Sequence, residues 1–188
     1  LDMAITGMYN KYYQTNARVF RAIYVWCADD VTAHSGGNKS RFSEYDRFNF
    51  NSGNTDILEM YQLYYQTIKA CNYVINNAER TPVEKSFLEP RLGQAYFLRA
   101  LNYFELVRFF GKQYEAGKNN TQLGVPIVLK TVTDFNGDLS VARNTVEEVY
   151  TQVIKDLNES IANLPEENSF YADAYSAKAL LSRVYLQK

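Results

Sequence analysis

Apolar residues recur at helical spacing over most of this chain. Leu1, Ile5, Met8 and Tyr12 fall at steps of four, three and four, which puts them on one face of a helix. A short break around Gln14–Asn16 separates this run from a second helical stretch, Arg18 to Cys27. From Ala28 to Asn54 the pattern dissolves. Asp29, Asp30, Gly36, Gly37, Asn38, Asn51, Gly53 and Asn54 are turn and loop formers. The alternation from Arg47 to Phe50 suits a short extended piece. Periodicity then returns with Ile57, Tyr61, Tyr64, Ile68, Cys71, Ile75 and Ala78, and Asn54, Thr55 or Asp56 can cap that helix.

Pro82 marks a short connection. The next helix is expected to begin near Phe87 or after Pro90 and to run to Phe110, with Gly111 as its C′ residue. It is apolar almost all round, which predicts a central element covered on several sides. Residues 112–143 read as a long connection punctuated by Gly and Asn, in which Val125, Ile127, Val128 and Leu129 form an extended segment lying on the helices. Thr145-Val146-Glu147-Glu148 fits a capping box, and Val146, Val149, Val153, Leu157, Ile161 and Leu164 make the next stripe. A last helix runs from about Asp173 to the end.

Two helices share a small pattern. Ala95, Leu98, Ala100 and Tyr103 match Ala177, Leu180, Ser182 and Tyr185 at one constant offset. The chain therefore reads as helix pair, long insertion, helix pair. Small and large residues at fixed offsets in helix pairs mark tetratricopeptide-type stacking, whose ideal repeat is about 34 residues. The fold class expected is all-α, with tetratricopeptide-like stacked helix pairs and long loop insertions. The chain opens within a helical stripe and closes on what reads as the first helix of another pair, so residues 1–188 are expected to be one helical domain of a longer protein.

Composition narrows the chemistry. The 188 residues carry a formal net charge of −1, without the clustered Lys and Arg of a nucleic-acid footprint. No apolar run approaches the length of a membrane span. Cys27 and Cys71 are far apart and have no metal spacing, which suits two buried free thiols. His34 lacks spaced partners, and Asp29, Asp30 and Asp46 do not follow a calcium-loop pattern. No nucleophile elbow, P-loop or dinucleotide fingerprint is present, so no enzyme and no cofactor is expected. Glu147/Glu148 and Glu166/Glu167 lie where capping or solvated roles are usual. Sixteen Tyr and 11 Phe stand against one Trp, Trp26, which reads as a core residue. Such rings pack helices or, on a surface, stack on flat ligands.

Five segments carry a family resemblance: RLGQAYFLRALNYFELVRFFG at 91–111, GVPIVL at 124–129, RNTVEEVY at 143–150, Ile154 to Leu157 with Leu164-Pro165, and AKALLSRVYL at 177–186. In this order and spacing they resemble the SusD/RagB family of outer-membrane nutrient-binding lipoproteins, over nearly the whole chain. The resemblance implies a helical, tetratricopeptide-like scaffold. It implies a lipid-anchored protein on the cell surface of Bacteroidetes-type bacteria, non-catalytic, which binds oligosaccharide, or sometimes peptide, and delivers it to a TonB-dependent outer-membrane transporter. The family's lipidated N-terminal Cys and its longer C-terminal part have no counterpart here, so membrane association is expected only through an anchor absent from this chain.

Family ligand surfaces draw on loops near the start of the 57–79 helix, here the 29–54 loop. Tyr45, Phe48 and Phe50 offer flat faces for the C–H patches of sugars. Asp30, His34, Lys39, Arg41 and Asn49 offer hydrogen bonds for hydroxyls. A competing role for Phe48 and Phe50 is to anchor the loop to the core. The alternative function is a protein-interaction scaffold whose helix-pair surface grips a peptide or the transporter itself.

Overall fold

The structure, a computed structural model, describes residues 1–15, 53–131 and 140–188. Among these lie five α-helices: α1 (Asp2–Thr15), α2 (Thr55–Asn77), α3 (Lys85–Phe110), α4 (Val146–Asn163) and α5 (Ala174–Gln187). A single 3-10 turn, Ala78–Arg80, follows α2. No strand occurs among the described residues; one isolated antiparallel bridge joins Leu123 to Thr145. Each described helix packs on the next described one, α1 on α2, α2 on α3, α3 on α4 and α4 on α5. This is the stacked helix-pair order that the repeated pattern predicts.

The stripes face the core as their spacing dictates. Ile5 and Met8 of α1 meet Cys71 and Val74 of α2 and Ala95 and Leu98 of α3 in one cluster. Tyr64, Phe104, Val149, Leu157, Ala177 and Val184 belong to the larger cluster that runs through the other four helices. On α2 the buried face is wider than one stripe, because α1 and α3 cover it from two sides: Met60, Leu63, Thr67 and Asn72 are buried as well. The α3 helix is buried along most of its length from Gly93 to Val107. Its closest approach is at Gly93, where a Cβ would stand 2.7 Å from the Leu164 side chain.

Local signals set most of the ends. Asn54 caps α2 by accepting from the Ile57 amide at 3.0 Å. The capping box of α4 is complete, with Thr145 and Glu148 each receiving the other's backbone N–H. Asp173 caps α5 through the Ser176 amide at 2.7 Å. Three expectations shift. The α1 helix continues through Gln14 and Thr15, where a break was read. The α3 helix starts at Lys85 and carries Pro90 inside it. The carbonyl that loses its donor there belongs to Ser86, which is exposed, so water can serve it. Gly111 does end α3, but with φ −93° and ψ 173° it is extended rather than left-handed. It must be glycine for room, since a Cβ would lie 2.6 Å from the Val107 carbonyl oxygen.

The repeat is half realised in packing. Ala95, Leu98, Ala100 and Tyr103 are all buried, as are Ala177 and Leu180, but Ser182 is exposed and Tyr185 keeps 56% of its surface open. The α5 helix has α4 on one side only, with a minor contact to α3.

The expected extended segment is present. Residues 124–131 lie along α2 and α3 as a strap, fastened by side chains rather than by a sheet ladder. Tyr65 donates to the Pro126 carbonyl at 2.8 Å. Asn72 donates to the Val128 carbonyl at 2.7 Å, and Asn76 to that of Leu129 at 3.1 Å. Asn144 returns the tie from the other side, accepting from the Ile127 amide at 2.8 Å.

Candidate functional site

All eight residues proposed from sequence for ligand binding, Asp30, His34, Lys39, Arg41, Tyr45, Phe48, Asn49 and Phe50, lie outside the described residues, as do the 18–27 helix, Trp26 and Cys27. The described part begins again at Gly53, and Asn54 fixes the point at which the 29–54 loop joins α2.

An aromatic ledge stands in the first half of α2 beyond that junction. Tyr61 and Tyr65, one helical turn apart, hold their rings 4.9 Å apart and tilted by 48°. The Tyr61 ring also meets Phe110 edge-on at 5.0 Å, and Phe109 continues the row from the end of α3. All four are partly buried against the core. Sequence reading placed Tyr61 in a helical stripe and Phe110 at the end of a helix apolar almost all round, and did not see them as a surface, because their pairing joins two different helices. Burial pushes the Tyr65 hydroxyl well above the ordinary tyrosine range, with the Tyr61 hydroxyl adding to the rise, so it stays a neutral donor to Pro126.

Arg143 locks the ledge to the strap. Its guanidinium donates to the Gly124 carbonyl at 2.7 Å and to the Phe110 carbonyl at 2.8 Å. The second bond places a cation on the C-terminal carbonyls of α3, where the helix dipole favours it.

Behind the strap lies a buried polar network. Arg99 donates to both oxygens of Asp156 at 2.7 Å, and its third bond goes to the Asn72 side chain at 2.8 Å. Gln152 adds a bond to Asp156 at 2.8 Å. Burial pushes the Asp156 carboxyl up, against the pull of Arg99. Burial also opposes the Arg99 charge, yet the bonds and charge of Asp156 outweigh it and raise the guanidinium further. The network joins α2, α3 and α4 and supplies, through Asn72, a donor to the strap. It is a positioning device, since both charges face inward and are almost fully buried.

Between the ends of α3 and α5 lies a polar cavity of about 430 Å³, lined among others by Arg108, Lys112, Tyr114 and Tyr150. Beside it the Tyr114 hydroxyl donates to Glu147 at 2.6 Å, and Lys188 donates to the other carboxylate oxygen at 2.8 Å. The Lys188 bond, then the Tyr114 bond, holds Glu147 below the usual carboxylate range. Among the described residues no group of three His, Cys, Asp or Glu could hold a metal ion, and no helix is long and apolar enough to cross a membrane. Cys71 is a buried free thiol, pushed up by burial.

A stacked helix-pair scaffold with a side-chain-fastened strap and an aromatic ledge at a loop junction describes a class of binding protein. Residues 1–186 match the SusD-like family model described as starch-binding associating with outer membrane, and the chain belongs to that family. A SusD-like protein of Formosa agariphila is 27% identical over 154 residues, covering 81% of this chain and 28% of its own length. The crystal structure of a SusD superfamily protein from Bacteroides thetaiotaomicron superposes with a TM-score of 0.79 at 26% identity, over 99% of this chain and 41% of that one. A laminarin-binding SusD-like protein superposes with a TM-score of 0.76 at 26% identity, over 98% of this chain and 39% of that one. The chain thus spans less than half the length of these relatives.

Proposed function

We propose that this chain is the helical portion of a non-catalytic, cell-surface glycan-binding protein that delivers oligosaccharide to a TonB-dependent outer-membrane transporter, the whole protein being held at the outer membrane by a lipid anchor. Membership of the SusD-like family carries the reading, and the likeness to a laminarin-binding protein supports glycan as the ligand class. The 29–54 loop supplies the contacts. Tyr45, Phe48 and Phe50 stack on sugar faces, and Asp30, His34, Lys39, Arg41 and Asn49 bond hydroxyls. The ledge of Tyr61, Tyr65 and Phe110 extends the flat surface at the loop's root.

The test is calorimetric titration of the chain with a panel of oligosaccharides, including laminari-oligosaccharides, followed by the Tyr45→Ala and Phe50→Ala variants. Saturable binding is expected, weakened by about tenfold in each variant as one stacking face is removed. No new reducing ends are expected on prolonged incubation. Affinity unchanged in both variants removes the loop from the site.

A second reading, a scaffold that grips a peptide or the transporter itself, draws on α5. That helix leaves Tyr185 56% and Leu186 87% exposed. Capture of transporter loops with no sugar binding favours it.

A further inference from the structure

The polar cavity between the ends of α3 and α5 combines rings with hydrogen-bonding groups. Tyr114, Tyr150 and Leu186 give it an apolar wall, and the Tyr114 and Tyr150 rings lie 4.9 Å apart. Arg108, Lys112, Gln113 and Gln187 supply the polar groups. Its volume of about 430 Å³ is at the lower end for small-ligand sites, which run from about 300 to about 1,000 Å³, and suits one or two sugar rings.

Three of these groups keep hydrogen-bonding capacity that the fold does not use. Tyr150 is only 4% exposed and lines the cavity, yet its hydroxyl makes no hydrogen bond among the described residues. Burial raises that hydroxyl and the Arg108 charge pulls it down, so it is a neutral donor with a cation beside it. Arg108 gives only Nη1 to Glu105, at 3.0 and 3.2 Å, which leaves Nε and Nη2 for a ligand. Lys112 is exposed and has no ion pair or hydrogen bond among the described residues. The acids around the cavity are already engaged. Glu105 faces Arg108 and Arg183, Glu147 is held by Tyr114 and Lys188, and Glu115 pairs with Lys118. No Asp or Glu lines the cavity among the described residues, so the charge it presents is positive.

We propose that this cavity is a subsite for an acidic sugar, a uronic acid residue whose carboxylate is met by Arg108 and Lys112. The guanidinium and ammonium donate to the carboxylate oxygens, in charge-assisted bonds. The Tyr150 hydroxyl, buried and without a partner in the fold, donates to the same anion or to a ring oxygen. Gln113 and Gln187 each offer an amide that both donates and accepts, as sugar hydroxyls require. The Tyr114–Tyr150–Leu186 wall covers the C–H patches of the ring. A simple carboxylate would use the cations and leave the amides and the wall idle. This inference takes its ligand class from the glycan-binding reading but not its site.

The test is titration of the chain with galacturonate, galactose and acetate, followed by the amide NMR shifts. Galactose keeps the ring and lacks the carboxylate; acetate keeps the carboxylate and lacks the ring. Galacturonate is expected to give saturable shifts at Lys112 and Gln113, and to weaken as NaCl rises from about 50 to about 500 mM. Galactose and acetate should each bind about tenfold more weakly. Tyr150→Phe should weaken galacturonate by about fivefold while leaving urea unfolding unchanged, because the lost hydroxyl has no partner in the fold. Lys112→Gln, at an exposed position, should weaken it by about threefold. Absence of saturable galacturonate binding overturns the proposal, as does affinity unchanged in both variants. Galactose binding as tight as galacturonate overturns the role of the cations. Acetate binding as tight overturns the sugar assignment and leaves a plain carboxylate site. Laminari-oligosaccharide binding that responds to Tyr45→Ala, with no galacturonate binding, removes this cavity alone and leaves the loop reading standing.

Discussion

The Tyr103 hydroxyl serves one residue twice, donating to the Val128 carbonyl and accepting from the Val128 amide, each at 2.8 Å. The ring is fully buried in α3, which fixes the hydroxyl between the two groups. Tyr103→Phe keeps the packing and leaves the Val128 amide without its partner. The expected loss is about 2 kcal/mol in urea unfolding, as for a buried donor left unpaired. A loss below the error of the measurement would mean that the strap shifts to find another acceptor. The Arg99–Asp156 pair is a sharper case. Asp156→Ala leaves a buried guanidinium uncompensated and should lose about 4 kcal/mol. Arg99→Met combined with Asp156→Leu should lose much less, because no charge then stays buried. A double variant as unstable as the single would assign the loss to packing. Neither role was legible in sequence. Tyr103 and Arg99 sit in a helix that reads as apolar all round, and their partners lie in the strap and in α4.

Helix ends were the most legible elements, because a cap is decided by residues three or four positions apart. The Thr145–Glu148 box formed as read; of the three candidates Asn54, Thr55 and Asp56 the cap of α2 is Asn54, and α5 starts at the expected place, with Asp173 as its cap. The start of α3 at Lys85 falls within two residues of the Phe87 alternative, and Pro90 is tolerated inside the helix because the carbonyl it orphans belongs to an exposed residue that water can reach. The eight loop residues were chosen by type, flat rings beside hydroxyl-binding groups, which is a local property. The ledge of Tyr61, Tyr65 and Phe110 needs two helices in place before it exists. Thr145→Ala should lose about 1 kcal/mol at neutral pH, measured by urea unfolding. Glu148 makes the same cap sensitive to acid. The Thr145 amide, then the Asn144 and Thr145 side chains, hold its carboxyl below the usual value. A depressed carboxylate stabilises the fold above its unfolded value, near pH 4.3, and that contribution is lost as pH falls through the lower folded value. Glu148→Gln should therefore be less stable than the parent at pH 6, and the gap should close as the pH falls below about 4. A gap that widens in acid would contradict the cap assignment.

At the scale of the whole molecule, helix order follows from the stripes, but the link between the first helix and the last pair does not. The Tyr9 hydroxyl of α1 accepts the Ala172 amide at 3.0 Å, across 163 residues of sequence, and the Tyr9 and Tyr171 rings lie 4.9 Å apart. In sequence Tyr9 is an ordinary helix residue beside a stripe. In the fold it ties α1 to the turn before α5. The chain should therefore unfold as one unit, with helical and tyrosine signals lost together in urea. Alkali tests the same link with a definite sign. Burial pushes the Tyr9 hydroxyl up to about 12, against the bond from Ala172. Burial likewise raises Tyr65, Tyr103 and Tyr150. A tyrosine in the unfolded chain ionises near 10. Between about pH 10 and 12 the unfolded chain has released protons that the folded chain retains, so stability falls as pH rises through that window. Tyr9→Phe removes one such proton and the acceptor for Ala172. It should lose about 1 kcal/mol at pH 7 and show a shallower decline above pH 10, so that the two stability curves converge in alkali. Curves that stay parallel would show that Tyr9 ionises freely in the folded protein, and that α1 is not held to the α4–α5 turn.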